Sequence, residues 1–189
     1  MKMRFFLLGV VLFALASTAG AASVAIELND HSVQAGLRQT LPAQGYGDSL
    51  MGARLLYNED RDALLGGIYA GVSGSPGNVG GLTFGVLLAL NAVDLPHGNE
   101  LVAAGIGLEA RYLPPQLMGV GIDSHVTYGP DIFTFGDADD YLEAGVGLGY
   151  QVLPNARLTL GYQYISVGIE KHRDYRLDGT LRVGVALDF

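Results

Sequence analysis

The stretch YLEAGVGLGYQVL, residues 141–153, decides the fold, because from Leu142 to Val152 apolar side chains strictly alternate with polar or absent ones. Glu143, Gln151 and three glycines occupy the second set. A period of two places the sets on opposite faces of a β-strand. Such a strand exceeds the five or six residues usual in soluble sheets and is typical of a strand that crosses a bilayer, with its apolar face toward lipid and its polar face toward a lumen.

The N-terminus has the features of a secretory signal peptide. Lys2 and Arg4 precede the apolar run FFLLGVVLFALA, and Ala19-Gly20-Ala21 matches an A-x-A cleavage site. The apolar run is shorter than the roughly 20 residues of a spanning helix. We therefore predict that residues 1–21 are a signal peptide that is removed, and that residues 22–189 form one domain.

The composition narrows the class of protein. The chain has no cysteine, which excludes disulfides and thiolate chemistry. Its net charge of -8 and pI near 4.7 argue against binding to nucleic acid, which requires basic patches. A mean hydropathy of +0.30 without a long apolar stretch after residue 21 is expected of a chain whose alternate side chains face lipid.

Alternating segments recur along the chain and predict ten antiparallel strands without a helix. They cover residues 24–29, 33–38, 51–58, 63–72, 82–90, 102–112, 118–127, 141–153, 157–164 and 181–189, and in 63–72 either phase fits. An even number suits a single-chain outer-membrane barrel. The sequence thus predicts an all-β, antiparallel transmembrane β-barrel of ten strands, and eight strands plus an N-terminal hairpin is the alternative.

Turn lengths predict the orientation of the barrel. The tight turns SGSPGN, LPPQ and LPNA fall at the inner, periplasmic end, and longer loops at 92–100, 129–140 and 168–178 fall at the outer end. Aromatic girdles are predicted at both interfaces: Tyr57, Tyr128 and Tyr141 outside, and Tyr112, Tyr150 and Phe189 inside. A last strand that ends in Phe189 also indicates an assembly signal of outer-membrane barrels.

Four segments in the C-terminal part of the chain resemble a known family. They are Tyr128-Gly-Pro-Asp131, Asp140-Tyr-Leu-Glu-Ala144, Gly161-Tyr-Gln-Tyr-Ile165 and Val183-Gly-Val-Ala-Leu-Asp-Phe189. This pattern resembles the YfaZ family of outer-membrane proteins. The resemblance implies a small outer-membrane barrel of Gram-negative bacteria, and it implies no activity, ligand or catalytic residue.

The inward positions carry a balanced set of charges. The acids are Glu27, Glu109, Asp123, Glu143 and Asp188, the arginines are Arg38, Arg54, Arg111, Arg157 and Arg182, and His125 lies among them. An unpaired charge is costly in a narrow interior, so we expect these groups to pair and fill the lumen. The alternative is a charged constriction of a narrow channel for small solutes or ions.

An outer-surface hydrolase is the second alternative. Asp123 and His125 are two residues apart and face the same side, and Asp137 and Asp139 resemble the second acid pair of omptin proteases. The predicted strands are too short to carry a cleft above the membrane. Ser124 and His125 face opposite ways, which argues against activation of a serine.

The acidic loop containing Asp137, Asp139 and Asp140 offers oxygen ligands for Ca²⁺ but lacks the spacing of a calcium loop. We interpret it as a solvated outer loop, with Phe133 and Phe135 able to bury into the barrel mouth. The sequence therefore predicts a monomeric, non-enzymatic outer-membrane barrel without metal or cofactor. Its expected partners are outer-membrane lipid and the barrel-assembly machinery, which would bind the C-terminal strand.

Overall fold

The computed structural model describes residues 21–41, 47–96, 100–136, 138–169 and 173–189. Nearly all of the signal peptide predicted for residues 1–21 lies outside the described residues. The strands are β1 (Ala21–Leu28), β2 (Ser32–Leu41), β3 (Asp48–Asn58), β4 (Ala63–Gly74), β5 (Leu82–Asp94), β6 (Glu100–Tyr112), β7 (Val120–Gly129), β8 (Thr134–Gly136), β9 (Ala138–Leu153), β10 (Ala156–Ile169) and β11 (Arg173–Asp188). No helix among these residues has the length and apolar character needed to span a bilayer.

Ten of these strands form one closed antiparallel barrel. Each of the ten pairs with its neighbour in chain order, with β9 following β7 in the sheet. The ring closes where β11 pairs with β1, with Leu187 opposite Val24. The ten-stranded prediction is confirmed. The alternative with a separate N-terminal hairpin is wrong, because β1 and β2 belong to the barrel wall.

The short strand β8 was not predicted. Pro130 follows the end of β7 and has no N–H to donate to a ladder, and a 3₁₀ helix spans Asp131–Phe133. The chain then pairs again with the start of β6, where Ala103 is opposite Thr134. Strand β8 therefore continues the wall along β6 beyond the end of β7.

The two faces of the barrel agree with the alternation. The outward side chains are apolar and exposed; Val146, near the middle of β9, is 55% exposed. In β4, where either phase fitted, Ile68 and Val72 face outward, whereas Tyr69 lines the lumen. Tyr141 was predicted in the outer girdle, but it is fully buried inside, because it lies in the same phase as Glu143.

The outer loops are shorter than predicted. Strand β9 begins at Ala138, β10 extends to Ile169 and β11 begins at Arg173, so most of 129–140 and 168–178 is strand. At these outer strand ends the inward positions hold buried apolar residues such as Ala138, Val167 and Leu177, so the polar-inward, apolar-outward alternation that marks the strands in sequence is lost. Phe133 and Phe135, predicted as able to bury into the mouth, are exposed.

The core of the molecule lies inside one end of the barrel. We call the end that carries Ala21 and Phe189 the inner end, and the opposite end the outer end. Inward side chains at the outer ends of the strands pack into one buried cluster, the outer apolar cluster. It comprises Leu56, Ala63, Leu65, Val93, Leu95, Leu101, Ala103, Ala138, Tyr141, Ile165, Val167 and Leu177.

Candidate functional site

A buried ion pair crosses the lumen beneath the outer apolar cluster. Arg54 on β3 donates to both carboxylate oxygens of Glu143 on β9, and these strands lie on opposite sides of the ring. The Tyr141 hydroxyl donates to Glu143 Oε2 at 2.9 Å, and Gln163 Nε2 donates to Oε1 at 3.1 Å. Glu143 is only 1% exposed. Its charge is thus compensated by direct partners, as a buried carboxylate requires.

A second ion pair also crosses the lumen. The guanidinium of Arg38 on β2 donates to Glu109 on β6, with Nη1 at 2.8 Å from Oε2 and Nη2 at 2.5 Å from Oε1. This bidentate geometry is the strongest form of an arginine–carboxylate contact. The pair is less buried than Arg54 and Glu143.

Asp123 is shared by two arginines. Arg157 Nη2 lies 2.6 Å from Asp123 Oδ2 and Nη1 lies 3.2 Å from Oδ1, while Arg111 Nε lies 2.6 Å from Oδ1. One carboxylate faces two guanidinium groups, so this cluster carries an excess positive charge.

Arg182 pairs with an acid that was not predicted to face the lumen. Its Nε and Nη2 donate to Asp178 Oδ2, and Nη2 also lies 2.8 Å from Ser32 Oγ. Asp178 lies at the end of a segment predicted as loop, which is why it was missed. Its position, two residues after Arg176 and four before Arg182, was only a weak indication that it pairs with an arginine.

Three predicted members of the charge set lie outside these arginine pairs. Glu27 accepts a hydrogen bond from Gln34 Nε2 at 3.2 Å and has no ion pair with a described residue. His125 Nε2 lies 3.3 Å from Glu143 Oε1. Asp188 is exposed at the inner rim, and within the described part of the chain its side chain joins no ion pair.

Inward glycines make room for these side chains. A Cβ on Gly67 would meet Asn91 Oδ1 at 2.5 Å and Arg54 Nε at 3.2 Å, and one on Gly85 would meet Glu109. Gly145 and Gly149 are likewise covered by His125 and Arg157. The glycines of the alternating pattern therefore allow the charged side chains to lie across the neighbouring strand.

Two cavities lined by charged side chains lie in the described part of the lumen. The larger, which we call the inner cavity, has a volume of about 390 Å³ and reaches the inner rim at Thr40, Ser73 and Thr83. The smaller, of about 190 Å³, lies beside Arg54 and Glu143. Arg38, Glu109 and His125 line both, so the second crossing ion pair stands between them.

Two buried guanidinium nitrogens, Arg182 Nη1 and Arg157 Nε, have no hydrogen-bond partner among the described residues. Gln34 Oε1 and Asn91 Nδ2, which belong to lining residues of the smaller cavity, lack a described partner as well. A buried polar atom without a partner costs free energy.

The described residues do not bring together the acids and the histidine that were considered for a protease site. Asp123 is held by two arginines and His125 contacts Glu143, while Asp139 is exposed at the start of β9. Asp137 lies outside the described residues. Strands β9 and β11 have 16 residues each and are longer than the segments predicted for them. No group of three His, Asp or Glu in the described ranges could hold a metal ion.

The alternation could not identify every lumen residue that matters. Tyr69, Asn91 and Gln163 line the lumen or bond to the crossing pair, and none was predicted. The alternation implied that Asn91 and Gln163 face inward, but an uncharged amide side chain gave no reason to single them out.

The chain was compared with known proteins. The model of the YfaZ family, described as YfaZ precursor, matches residues 2–189. Curated protein sequences gave no match.

Solved structures gave distant similarities. A protein from work on the in-meso crystallisation of membrane proteins is 13% identical, with 90% of this chain and 83% of that chain covered and a TM-score of 0.47. The outer membrane channel DcaP of Acinetobacter baumannii is 12% identical at a TM-score of 0.44; 92% of this chain is covered, but only 55% of that one. The KdgM porin is 10% identical, with 89% and 99% covered and a TM-score of 0.44.

Proposed function

The chain belongs to the YfaZ family, and from this premise we propose that it is a non-enzymatic integral protein of the outer membrane whose lumen is closed at the outer end. The protein would then have a structural role or bind another molecule, and it would not transport solutes. The inner cavity faces the periplasm, into which the predicted signal peptide directs the chain.

The outward surface supports a membrane location. Exposed apolar side chains lie on every described strand of the wall; examples are Ile68, Leu88 and Val183. Contiguous exposed apolar surface of this extent is unfavourable in water and favourable in hydrocarbon.

The observation that carries the closed lumen is the filling of its outer half. The outer apolar cluster is buried, and directly beneath it Arg54 and Glu143 join opposite walls. An ion moving along the axis would have to displace both layers. Breaking a buried ion pair costs about 3–5 kcal/mol, which makes spontaneous opening rare.

Recordings in planar bilayers test this proposal. We expect purified wild-type protein to give no steady conductance. The matched variant is Leu65→Ala with Leu101→Ala, which removes bulk from the outer apolar cluster and should admit current or flickering if that cluster is the barrier. A stable open current from the wild type contradicts the closed lumen.

A narrow channel is the second candidate, because the two cavities share Arg38 and Glu109 in their linings. Under this proposal the pair is a constriction, where charge sets selectivity. Arg38→Gln and Glu109→Gln should then shift the ion selectivity of a wild-type current in opposite senses. Equal selectivity in both variants would argue against it.

The proposed partners are outer-membrane lipid and the barrel-assembly machinery. Phe189 directly follows the last residue of β11 and is 75% exposed, so its ring is available to another protein. Removal of Phe189 should lower the amount of protein in the outer membrane, measured by fractionation. We further propose that the barrel is monomeric, which light scattering of the detergent complex tests.

A further inference from the structure

We propose that the inner end of the lumen binds a small monocarboxylate through Arg111. The inner cavity has a volume of about 390 Å³, which is within the range of ligand pockets. Arg111 lines this cavity and its side chain is 55% exposed, so a solute that enters from the inner end can contact it. The assignment depends on the surplus positive charge that Arg111 brings to this end of the lumen.

Asp123 is already balanced without Arg111. Arg157 contacts both of its carboxylate oxygens, with Nη2 at 2.6 Å from Oδ2 and Nη1 at 3.2 Å from Oδ1. Glycines make this contact possible, since a Cβ on Gly149 would overlap the Arg157 guanidinium and one on Gly121 would lie 3.3 Å from Nη2. A bidentate pair joins one carboxylate to one guanidinium. Arg111 therefore adds a positive charge that Asp123 does not require.

The other acids that line the inner cavity do not balance Arg111 either. Glu109 precedes Arg111 by two residues on the same face, but both of its oxygens accept hydrogen bonds from Arg38. Glu27 is on β1, which lies on the opposite side of the ring from β6. These two and Asp123 are the acids of the described lining. An anion from solution is thus the missing partner of Arg111.

The free edge of the Arg111 guanidinium has the shape that a carboxylate requires. Nε donates to Asp123 Oδ1 at 2.6 Å, whereas neither Nη atom donates to a described residue. Two Nη donors side by side match the two oxygens of one carboxylate.

Hydroxyl groups lie beside this edge. Thr83 is opposite Arg111 on β5, and its Oγ1 lies 3.4 Å from Ser75 Oγ. When one of these hydroxyls donates to the other, the acceptor still has a proton to donate. Because side chains directly opposite each other in a sheet are close, this proton is available to an anion held by Arg111.

The charge of the cluster selects a singly charged ligand. Arg111 supplies one uncompensated positive charge, which one carboxylate balances. A doubly charged phosphate would leave a negative charge close to Asp123, and an ammonium group would be repelled by Arg111. A neutral solute would leave the guanidinium without its counter-charge.

This inference goes beyond the proposed function, since it requires an inner end that is open to solvent and does not require a closed outer end. The two therefore fail separately. Conductance tests whether the lumen is closed, whereas binding to protein in detergent tests the site whether or not ions pass.

The experiment is ligand-observed NMR titration of the folded barrel in non-ionic detergent micelles. The probes are propionate, its uncharged analogue propionamide, and inorganic phosphate. We expect propionate to bind at least about tenfold more tightly than propionamide, because a charged hydrogen bond is lost in the amide. Phosphate should bind less tightly than propionate. The proposal is overturned by equal affinity for propionamide, by tighter binding of phosphate, or by the lack of a saturable propionate signal.

Variants locate the site. Arg111→Gln should weaken propionate binding about tenfold and leave propionamide unchanged. Arg111→Lys keeps the positive charge but has no bidentate fork, so it should also weaken propionate binding, though less. The matched control is Arg61→Gln, which removes an exposed arginine at the outer end and should change nothing. Wild-type propionate affinity in folded Arg111→Gln or Arg111→Lys protein would refute the assignment.

Discussion

Glu143 accepts hydrogen bonds from three side chains of the lumen, those of Arg54, Tyr141 and Gln163. Glu143→Gln leaves the Arg54 guanidinium buried without a full counter-charge. We expect the free energy of unfolding to fall by about 3–5 kcal/mol. Urea titration of the barrel in lipid, followed by tyrosine fluorescence, measures this change.

The control for Glu143→Gln is Asp188→Asn, since Asp188 is exposed and has no ion pair with a described residue. This change should alter the unfolding free energy by about 0.5 kcal/mol or less. If the two variants unfold alike, the Arg54–Glu143 pair is hydrated rather than dry.

Two adjacent glycines of β4 give a second comparison at the level of residues. A Cβ on Gly67 would meet Asn91 and Arg54, whereas one on Gly66 would have nothing within 4 Å. Gly67→Ala should therefore destabilise by about 1–3 kcal/mol through overpacking. Gly66→Ala should be neutral or stabilising by about 0.5–1 kcal/mol, since alanine restricts the unfolded chain. The same urea titration distinguishes them, and equal effects would mean that the lumen is loosely packed.

The sequence predicts which residues face the lumen better than it predicts their partners. Alternation placed Arg38, Arg54, Glu109 and Glu143 inside, as observed. Their pairing depends on the stagger between strands that are far apart in the chain, and alternation within one strand does not determine it. Arg182 shows the difficulty, because its partner is Asp178 rather than one of the predicted acids.

At the level of the element, β9 tests the assignment of faces. Val146→Arg places a charge on the lipid face near the middle of the strand and should destabilise by about 2–4 kcal/mol. Val152→Arg, equally outward but near the inner end, should cost about 1 kcal/mol or less. The folded fraction of each variant in lipid vesicles, measured from the difference in gel migration between heated and unheated samples, reports the difference in stability. Equal costs would show that the bilayer does not surround β9 at this height.

Elements were hardest to predict where both faces are apolar. In β4, Leu64 faces outward and Leu65 joins the outer apolar cluster, so the alternation disappears there. Tyr141 was misassigned for the same reason, because an apolar inward residue at the outer end resembles a girdle residue. The binary pattern assumes a polar lumen, and it fails wherever the lumen is packed.

For the whole molecule, the orientation in the membrane is testable with single cysteines, because the chain has none of its own. Asp60→Cys lies in the exposed β3–β4 turn at the outer end, and Gln116→Cys lies in the exposed turn between β6 and β7 at the inner end. A membrane-impermeant maleimide on intact cells should label Asp60→Cys and not Gln116→Cys. After lysis both should react, and the reverse pattern on intact cells would invert the topology.

The pairing of β1 with β11 constrains how the barrel can form. Ser23 is opposite Asp188, so the contact that completes the ring joins nearly the two ends of the chain. Contacts so distant in sequence close slowly, because the entropy of a long loop opposes them. Until they form, β1 and β11 expose unpaired N–H and C=O groups, which hydrocarbon does not tolerate. Insertion therefore awaits synthesis of β11, and a ribosome that stops before Val183 releases a sheet with two open edges that is prone to aggregate.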